Sequence, residues 1–520
     1  MSSTTSEVVR APVEAKPELI VIFKTTPVAK VTGRGLVASS EDVSSVNEVL
    51  SRHNASLKLL FGQDEARLQA QQAEVVAAAA TIAPALYGAG EDDDEQHEAD
   101  IVAPAALAAA SLPDLSSFYT LDGEVEDPEA LAAELLQQEL VDAAYVTPPA
   151  APPLFLNVER EDGGPPSDTE APPVTPNFQS RQGFLGAAPG GIEALWARTQ
   201  PGGKGDGIRI ADVEWGWRFT HEDLRQQLGG LLAGSNSTDT GFVNHGTAVA
   251  GVVGGDENAI GVLGIAPNAP FYTSSLVDQS TSAAIKAAAD RLRAGDVMLL
   301  EVHRSGPQAP NPAQGQKGYI AIEWWPQDLA AIQYAVAKGI VVVEAAGNGS
   351  VNLNDPIYDR PQAGWPSTWR NPFRTTNPTS GAVIVGAGAP PPGTHGRNWG
   401  PDRSRLDFSN HGLRVDAQGW GQEVTTTGYG SLQGGVSQDI WYTDTFNGTS
   451  SASPIVTGAV LSAQGSRRAR GKRLLTSHEF RSLLRATGSP QQASPQAPVS
   501  QRIGNRPNLR QLIPAALARP

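Results

Sequence analysis

Four residues of this 520-residue chain could share one piece of chemistry: Asp212, His245, Asn348 and Ser450. Asp212 ends the apolar run IRIAD, and a carboxyl at the carboxyl end of a buried strand is placed to orient an imidazole. His245 stands in NHGTAVAGVVGG, where Gly246, Ala248, Ala250 and Gly251 would let a helix starting at the histidine pack closely. A histidine before a glycine is, on its own, more often a loop residue than a base. Ser450 lies in FNGTSSASPIVTGAV, a turn feeding a small-residue helix with Pro454 in its first turn. A hydroxyl there gains from the helix dipole, and its N–H can face a developing oxyanion, although a lone GTS reads equally well as an ordinary N-cap. Asn348 follows the apolar run VVVEAAG and is either a turn residue or a second oxyanion donor, worth about 3 to 4 kcal/mol of transition-state stabilisation. Four such motifs in the order Asp, His, Asn, Ser are hard to assemble by chance.

The elements that must hold these residues fall into two blocks. From about Gly186, short Val/Ile-rich runs (GIRIADVE, DVMLLEV, IVVVEAAG, GAVIVGAG) alternate with helical segments, which predicts an α/β, doubly wound parallel sheet with its site at the strands' carboxyl ends. Before it, ELIVIF from Glu18, a helix from Ser44, ASLKLLFG, SFYTLDG, a helix capped by Asp127 with Pro128 at its first position, and a last apolar strand read βαββαβ, a small α+β, ferredoxin-like unit. The division expected is a tail at 1–17, the small unit at 18–148 with an acidic Ala-rich insertion at 77–110, a Pro-rich linker at 149–185, the large domain at 186–487 and a C-terminal tail at 488–520.

Composition narrows the partners. The net charge of −16 argues against nucleic acid or an anionic membrane, either of which would require clustered Lys and Arg, and leaves proteins and peptides. With no cysteine there is no disulfide, thiolate metal site or Cys nucleophile. No run of about 18 apolar residues exists to cross a bilayer. MSSTTSEVVRAPVEAKPELIVIF lacks the pattern of a secretory signal, so a cytoplasmic location or a non-classical export route is expected. Oligomeric state is not legible.

The strings IADVEWGW, NHGTAVAG, IGVLGIAP, VVVEAAGNG, FSNHG and NGTSSASP, spread over about Gly186 to Leu475, resemble the subtilisins, a family of serine endopeptidases. The resemblance implies Ser450 as nucleophile, His245 as general base and then acid, Asp212 as orienting acid and Asn348 as oxyanion donor, with no organic cofactor. It implies that residues 18–148 are an inhibitory prodomain, with a processing cut around Leu154 to Asn157. It also implies a calcium loop, with Asp223, Asp256, Asn258, Ile260 and Val262 as ligands; the same residues admit a metal-free, hydrogen-bonded turn.

The chain departs from the family beside these residues. Val213, Glu214 and Trp215 follow the aspartate where a small residue and glycine are usual, and the substrate-binding strand reads Glu301, Val302, His303. Glu344 replaces a small residue in the strand leading to Asn348. Two or three of the acids Glu214, Glu301 and Glu344 therefore either converge near the specificity pocket and select basic or polar side chains, or form a structural cluster of carboxyls. Extra segments between His303 and Asp328 and between Ser350 and Ser380 are either lids and partner surfaces or decoration. The altered strand leans toward a specialised maturation protease rather than a degradative one.

Overall fold

The computed structural model describes residues 17–24, 29–32, 35–38, 42–62, 64–87, 112–153, 171–310 and 315–520. In the N-terminal unit, β1 (Glu18–Phe23) is followed by a hairpin, β2 (Ala29–Thr32) and β3 (Gly35–Ala38), then α1 (Ser44–Arg52), β4 (Leu57–Leu59), α2 (Glu65–Tyr87), β5 (Phe118–Leu121), α3 (Pro128–Leu135) and β6 (Val141–Thr147). The four-stranded antiparallel sheet runs β4-β5-β1-β6, the βαββαβ order expected. Asp127 caps α3 by accepting the Ala130 N–H at 2.8 Å, with Pro128 at the first helical position. The helix α2 is the departure: it runs through Tyr87 into the segment expected to be an unstructured insertion, while the acidic run GEDDDEQHEAD lies outside the described residues.

Strand alternation gives this sheet two buried faces. Leu19, Val21, Phe23 and Tyr119 pack under α1 and α3 with Val46, Leu50, Leu131 and Leu135. Ile20, Ile22, Phe118, Ala143 and Tyr145 point the other way, into a cluster shared with the large domain.

The large domain carries β8 (Ile210–Glu214), β9 (Leu228–Ala233), β10 (Phe271–Ser275), β11 (Val297–Leu300), β14 (Val341–Ala345), β15 (Val383–Gly388) and β16 (Ala417–Trp420) in one parallel sheet, order β16-β15-β14-β11-β8-β10-β9. Two short antiparallel groups flank it: β7 (Ala150–Ala151), β12 (His303–Ser305) and β13 (Tyr319–Ala321), and the pair β17 (Val424–Thr427) and β18 (Tyr442–Phe446). Its helices are the one-turn α4 (Ala194–Ala197), α5 (Thr240–Gly254), α6 (Thr281–Arg291), α7 (Pro326–Ala337), α8 (Thr449–Arg468), α9 (Ser477–Ala486) and α10 (Leu509–Ala518). Leu509, Leu512, Ile513 and Ala516 of α10 join the core formed by α5, α8 and the sheet, so the segment expected to be a C-terminal tail completes the domain.

The two extra segments have a use. Trp324, Trp325, Trp365 and Trp369 make a continuous aromatic platform, with ring centroids 4.5 Å apart for Trp324–Trp365 and 4.9 Å for Trp365–Trp369. Tyr145 of β6 lies 5.9 Å from Trp365 and donates its hydroxyl to Gln327 Oε1 at 2.9 Å, and the Ala144 N–H bonds the Gly364 carbonyl at 3.0 Å. The N-terminal unit therefore sits on a surface that these segments build.

Candidate active site

Ser450 is the second residue of α8, a helix whose small residues let it run buried beside the sheet. Pro454 falls in the second turn rather than the first, where its missing N–H leaves the Ser450 carbonyl without the usual helical partner. Gly448, at φ +92°, turns the chain into the helix, and a Cβ there would lie 2.2 Å from the Pro153 carbonyl oxygen. Only glycine lets that carbonyl approach. The Ser450 hydroxyl donates to the same oxygen at 3.0 Å.

Pro153 ends a stretch that leaves β6 and enters the cleft. Ala150 and Ala151 add antiparallel to β12, opposite Arg304 and His303. Gln316 Nε2 donates to the Pro152 carbonyl at 2.7 Å, and Arg304 donates to the Pro148 carbonyl. Arg304 is fully buried and also binds Asp328 at 2.9 Å and Glu18 at 3.4 Å, so one guanidinium ties the cleft strand to both ends of the N-terminal unit. Leu154 to Asn157 lie outside the described residues.

Asn348 is held from both sides. Its Oδ1 accepts the Thr449 N–H at 2.9 Å and the Thr449 hydroxyl at 3.0 Å, which turns Nδ2 outward to Gln316 Oε1 at 2.9 Å. Gln316 thereby couples Asn348 to the tail in the cleft. It stands in an extra segment that no motif covers, and sequence reading missed it.

His245 lies in the second turn of α5, which starts at Thr240 with Asp239 as its cap, not at the histidine itself. A Cβ on Gly246 would lie 2.3 Å from the Gly216 carbonyl, so the loop after β8 folds directly onto this turn. The carboxyl that meets the imidazole is Glu214: its Oε2 is 2.7 Å from His245 Nδ1, both side chains fully buried. Asp212, expected in that position, instead accepts the Trp217 indole N–H at 2.7 Å and lies beside Glu214. Burial, first, and the charge of Glu214 push Asp212 well above the usual carboxylate range. Burial likewise raises Glu214, and it pulls His245 down to about 4 against the opposing charge of Asp212.

Only two of the three glutamates share a face. Leu299 pairs with Asp212 and Leu300 with both Val213 and Glu344, so alternation puts Glu344 on the opposite sheet face from Asp212 and Glu214. Glu344 accepts the Glu323 N–H at 3.0 Å and lies beside Arg414. Glu301, one residue past β11, stays on the site's face, accepts the Ser453 hydroxyl at 2.6 Å and faces Ser450. Val302 is buried in the apolar cluster, and His303 Nδ1 accepts the Asn348 N–H at 3.3 Å with its ring against Tyr319. Glu214 and Glu301 therefore share the site's face, and strand register holds Glu344 apart from them.

The residues read as a calcium loop are arranged differently from a cation site. Asp223 accepts from Asn258 Nδ2 and the Val262 N–H, each at 2.7 Å. Asp256 accepts the N–H groups of Arg225 and Gln226, each at 2.9 Å, and Asn258 Oδ1 accepts that of Ile260 at 2.8 Å. Both carboxylates are met by donors where a cation would require acceptors, and burial pushes Asp223 up to about 8. These residues do not fit calcium as they stand; they form the hydrogen-bonded turn.

Comparison with known proteins bears on this geometry. Residues 205–505 match the model of the subtilase family. Over 259 residues the chain is 29% identical to subtilisin DY of Bacillus licheniformis, covering 50% of this chain and 77% of that protein. Over 283 residues it is 26% identical to subtilisin E of Bacillus subtilis (strain 168), covering 53% and 61%. In fold it is similar to fervidolysin from Fervidobacterium pennivorans, a keratinolytic enzyme related to subtilisin, with TM-score 0.51, 16% identity and coverage of 98% of this chain and 62% of that one. It is likewise similar to the epidermin leader peptide processing serine protease of Staphylococcus aureus, with TM-score 0.50, 16% identity and coverage of 97% and 100%.

Proposed function

The chain belongs to the subtilase family and is a serine endopeptidase of that family, and from that premise we propose that Ser450 is its nucleophile, His245 its base, and residues 18–148 an inhibitory prodomain whose tail lies in the cleft as a substrate would. The observation that carries this reading is the Ser450 hydroxyl 3.0 Å from the Pro153 carbonyl oxygen, at the end of a segment bound by strand addition to β12. Ser450 Oγ attacks a peptide carbonyl carbon as its proton passes to His245 Nε2, which has no hydrogen-bond partner among the described residues. The tetrahedral oxyanion is held by the Ser450 N–H and by Asn348 Nδ2, which exchanges Gln316 for the developing charge. Collapse expels the amine, protonated by His245, and water hydrolyses the acyl-enzyme.

The same contact supports a processing point. With the Pro153 carbonyl at Ser450, the bond to be cut is Pro153–Leu154, at the start of the range expected from sequence. Arg304, Gln316 and the tryptophan platform hold the unit in place until that cut, and the unit afterwards competes with incoming substrate. A narrow maturation role is favoured over general degradation by the cleft strand itself, where the buried His303 ring lies 4.7 Å from Tyr319. A fluorophosphonate probe tests the reading. It should label mature enzyme at Ser450, label full-length chain far more slowly and leave S450A and H245A unlabelled; rapid labelling of H245A would overturn it.

A further inference from the structure

We propose that Glu214, and not Asp212, is the carboxylate that orients His245, with Asp212 standing behind it as a hydrogen-bond donor, so that a chain Asp212–Glu214–His245 backs the nucleophile. The proposal rests on the reading of Ser450 and His245 given above and deepens it. Both acids are positioning residues: they act through the imidazole and touch no substrate.

Strand geometry places the two acids together. Asp212 and Glu214 are two apart at the carboxyl end of β8, so their side chains leave the same face, while Val213 between them enters the opposite cluster. The longer reach of glutamate takes Oε2 to His245 Nδ1 at 2.7 Å. Asp212, shorter and further back, is fixed by Trp217 Nε1 on Oδ2. Asp212 Oδ1 and Glu214 Oε1 receive no donor among the described residues, and the two buried carboxyls are neighbours that act on each other. Two carboxyl oxygens in that position are satisfied together only if one carries a proton.

The proton belongs on Asp212. Glu214 accepts from His245, and the imidazolium that forms during attack stabilises negative charge on the oxygen it touches. Burial raises both acids; the charge of Glu214 raises Asp212 further, whereas Asp212 partly offsets the rise of Glu214, the pattern of donor and acceptor respectively. Their surroundings favour a single negative charge: Glu301 after β11 and Tyr429 after β17 face the pair, His303 of β12 faces His245, and among the described residues neither acid is paired with a Lys or Arg. The dyad therefore holds one proton and one charge, and no proton leaves it when His245 takes that of Ser450.

This arrangement inverts the mutational order expected of an aspartate that contacts the imidazole directly. Asparagine at 212 still donates to Glu214 and leaves its charge in place; glutamine at 214 removes the charge from His245. Self-processing of the full-length chain and the rate of Ser450 labelling by a fluorophosphonate, both against pH, separate the cases. Glu214→Gln should lower both by about 10³- to 10⁴-fold, the loss seen when a triad carboxylate is made neutral. Asp212→Asn should lose at most about tenfold and keep the wild-type shape of its pH profile. A folded D212N that falls 10³-fold, or equal losses in the two variants, overturns the proposal. If E214Q does not fold, D212N alone decides. Undiminished labelling of H245A would instead refute the underlying reading, with the Asp212–Glu214 question separate from it.

Discussion

Two groups of buried acids lie on opposite faces of the same parallel sheet, and they are stabilised by different means. On one face Glu323, Glu344 and Asp416 surround Arg414, which is fully buried and donates to both oxygens of Glu323 and to Asp416 Oδ2, each at 2.8 Å. Burial alone would raise Asp416, but Arg481, Arg414 and Arg485 bring it down to about 2. On the other face Asp212, Glu214 and Glu301 are paired with no guanidinium among the described residues, and burial leaves all three well above the carboxylate range. Acids paired with arginine hold elements together; here Asp416 joins β15 and β16 to α9. Acids without a cation must share protons, and that is where a histidine and a serine stand ready to move one.

The difference can be broken from either side. Arg414→Leu should cost the most stability, about 3 to 5 kcal/mol, because it strands buried carboxylates; urea unfolding measures it, and activity per folded molecule should not change. Asp416→Asn tests the same cluster through pH. The folded value of about 2 lies below the unfolded 3.8, so the contribution, about 2 kcal/mol, is present above pH about 4 and is lost as pH falls through about 2. The variant should be less stable near neutrality and lack that acid-side loss; an unchanged acid limb would count against the cluster's role.

Glu301→Gln tests the other face, with the opposite sign. A carboxyl raised on folding binds more protons in the native state, so wild-type stability falls as pH climbs from about 4.5 toward the raised value. Thermal unfolding of the variant should show a flatter alkaline side and an unchanged acid side; identical profiles would remove Glu301 from the account. The smallest effect is expected at Asp223, which is met by N–H donors in place of a guanidinium. A chelator should leave the melting temperature unchanged, and a drop reversed by calcium would restore the metal loop.

Much of this was legible in sequence because it is local. Apolar runs, the Asp127 cap and the strings around His245 and Ser450 depend on neighbours a few residues away, and they led to the right elements. Which acid meets His245 was not read, though the signal was there: the Asp-x-Glu spacing on a strand puts both carboxyls on one face, and the glutamate reaches further. The separate fates of Glu301 and Glu344 needed the register between β8, β11 and β14, which no single stretch of sequence carries. Gln316 and the tryptophan platform were invisible for the same reason: their roles exist only once the N-terminal unit is seated.

The central claim is that the tail ending at Pro153 occupies the cleft as a substrate of Ser450. N-terminal sequencing of protein matured from the full-length chain, set beside S450A, tests it most directly. The account predicts a mature chain beginning at Leu154 and an S450A chain that stays intact; a different first residue in freshly processed protein, or S450A maturing at the wild-type rate, would contradict it.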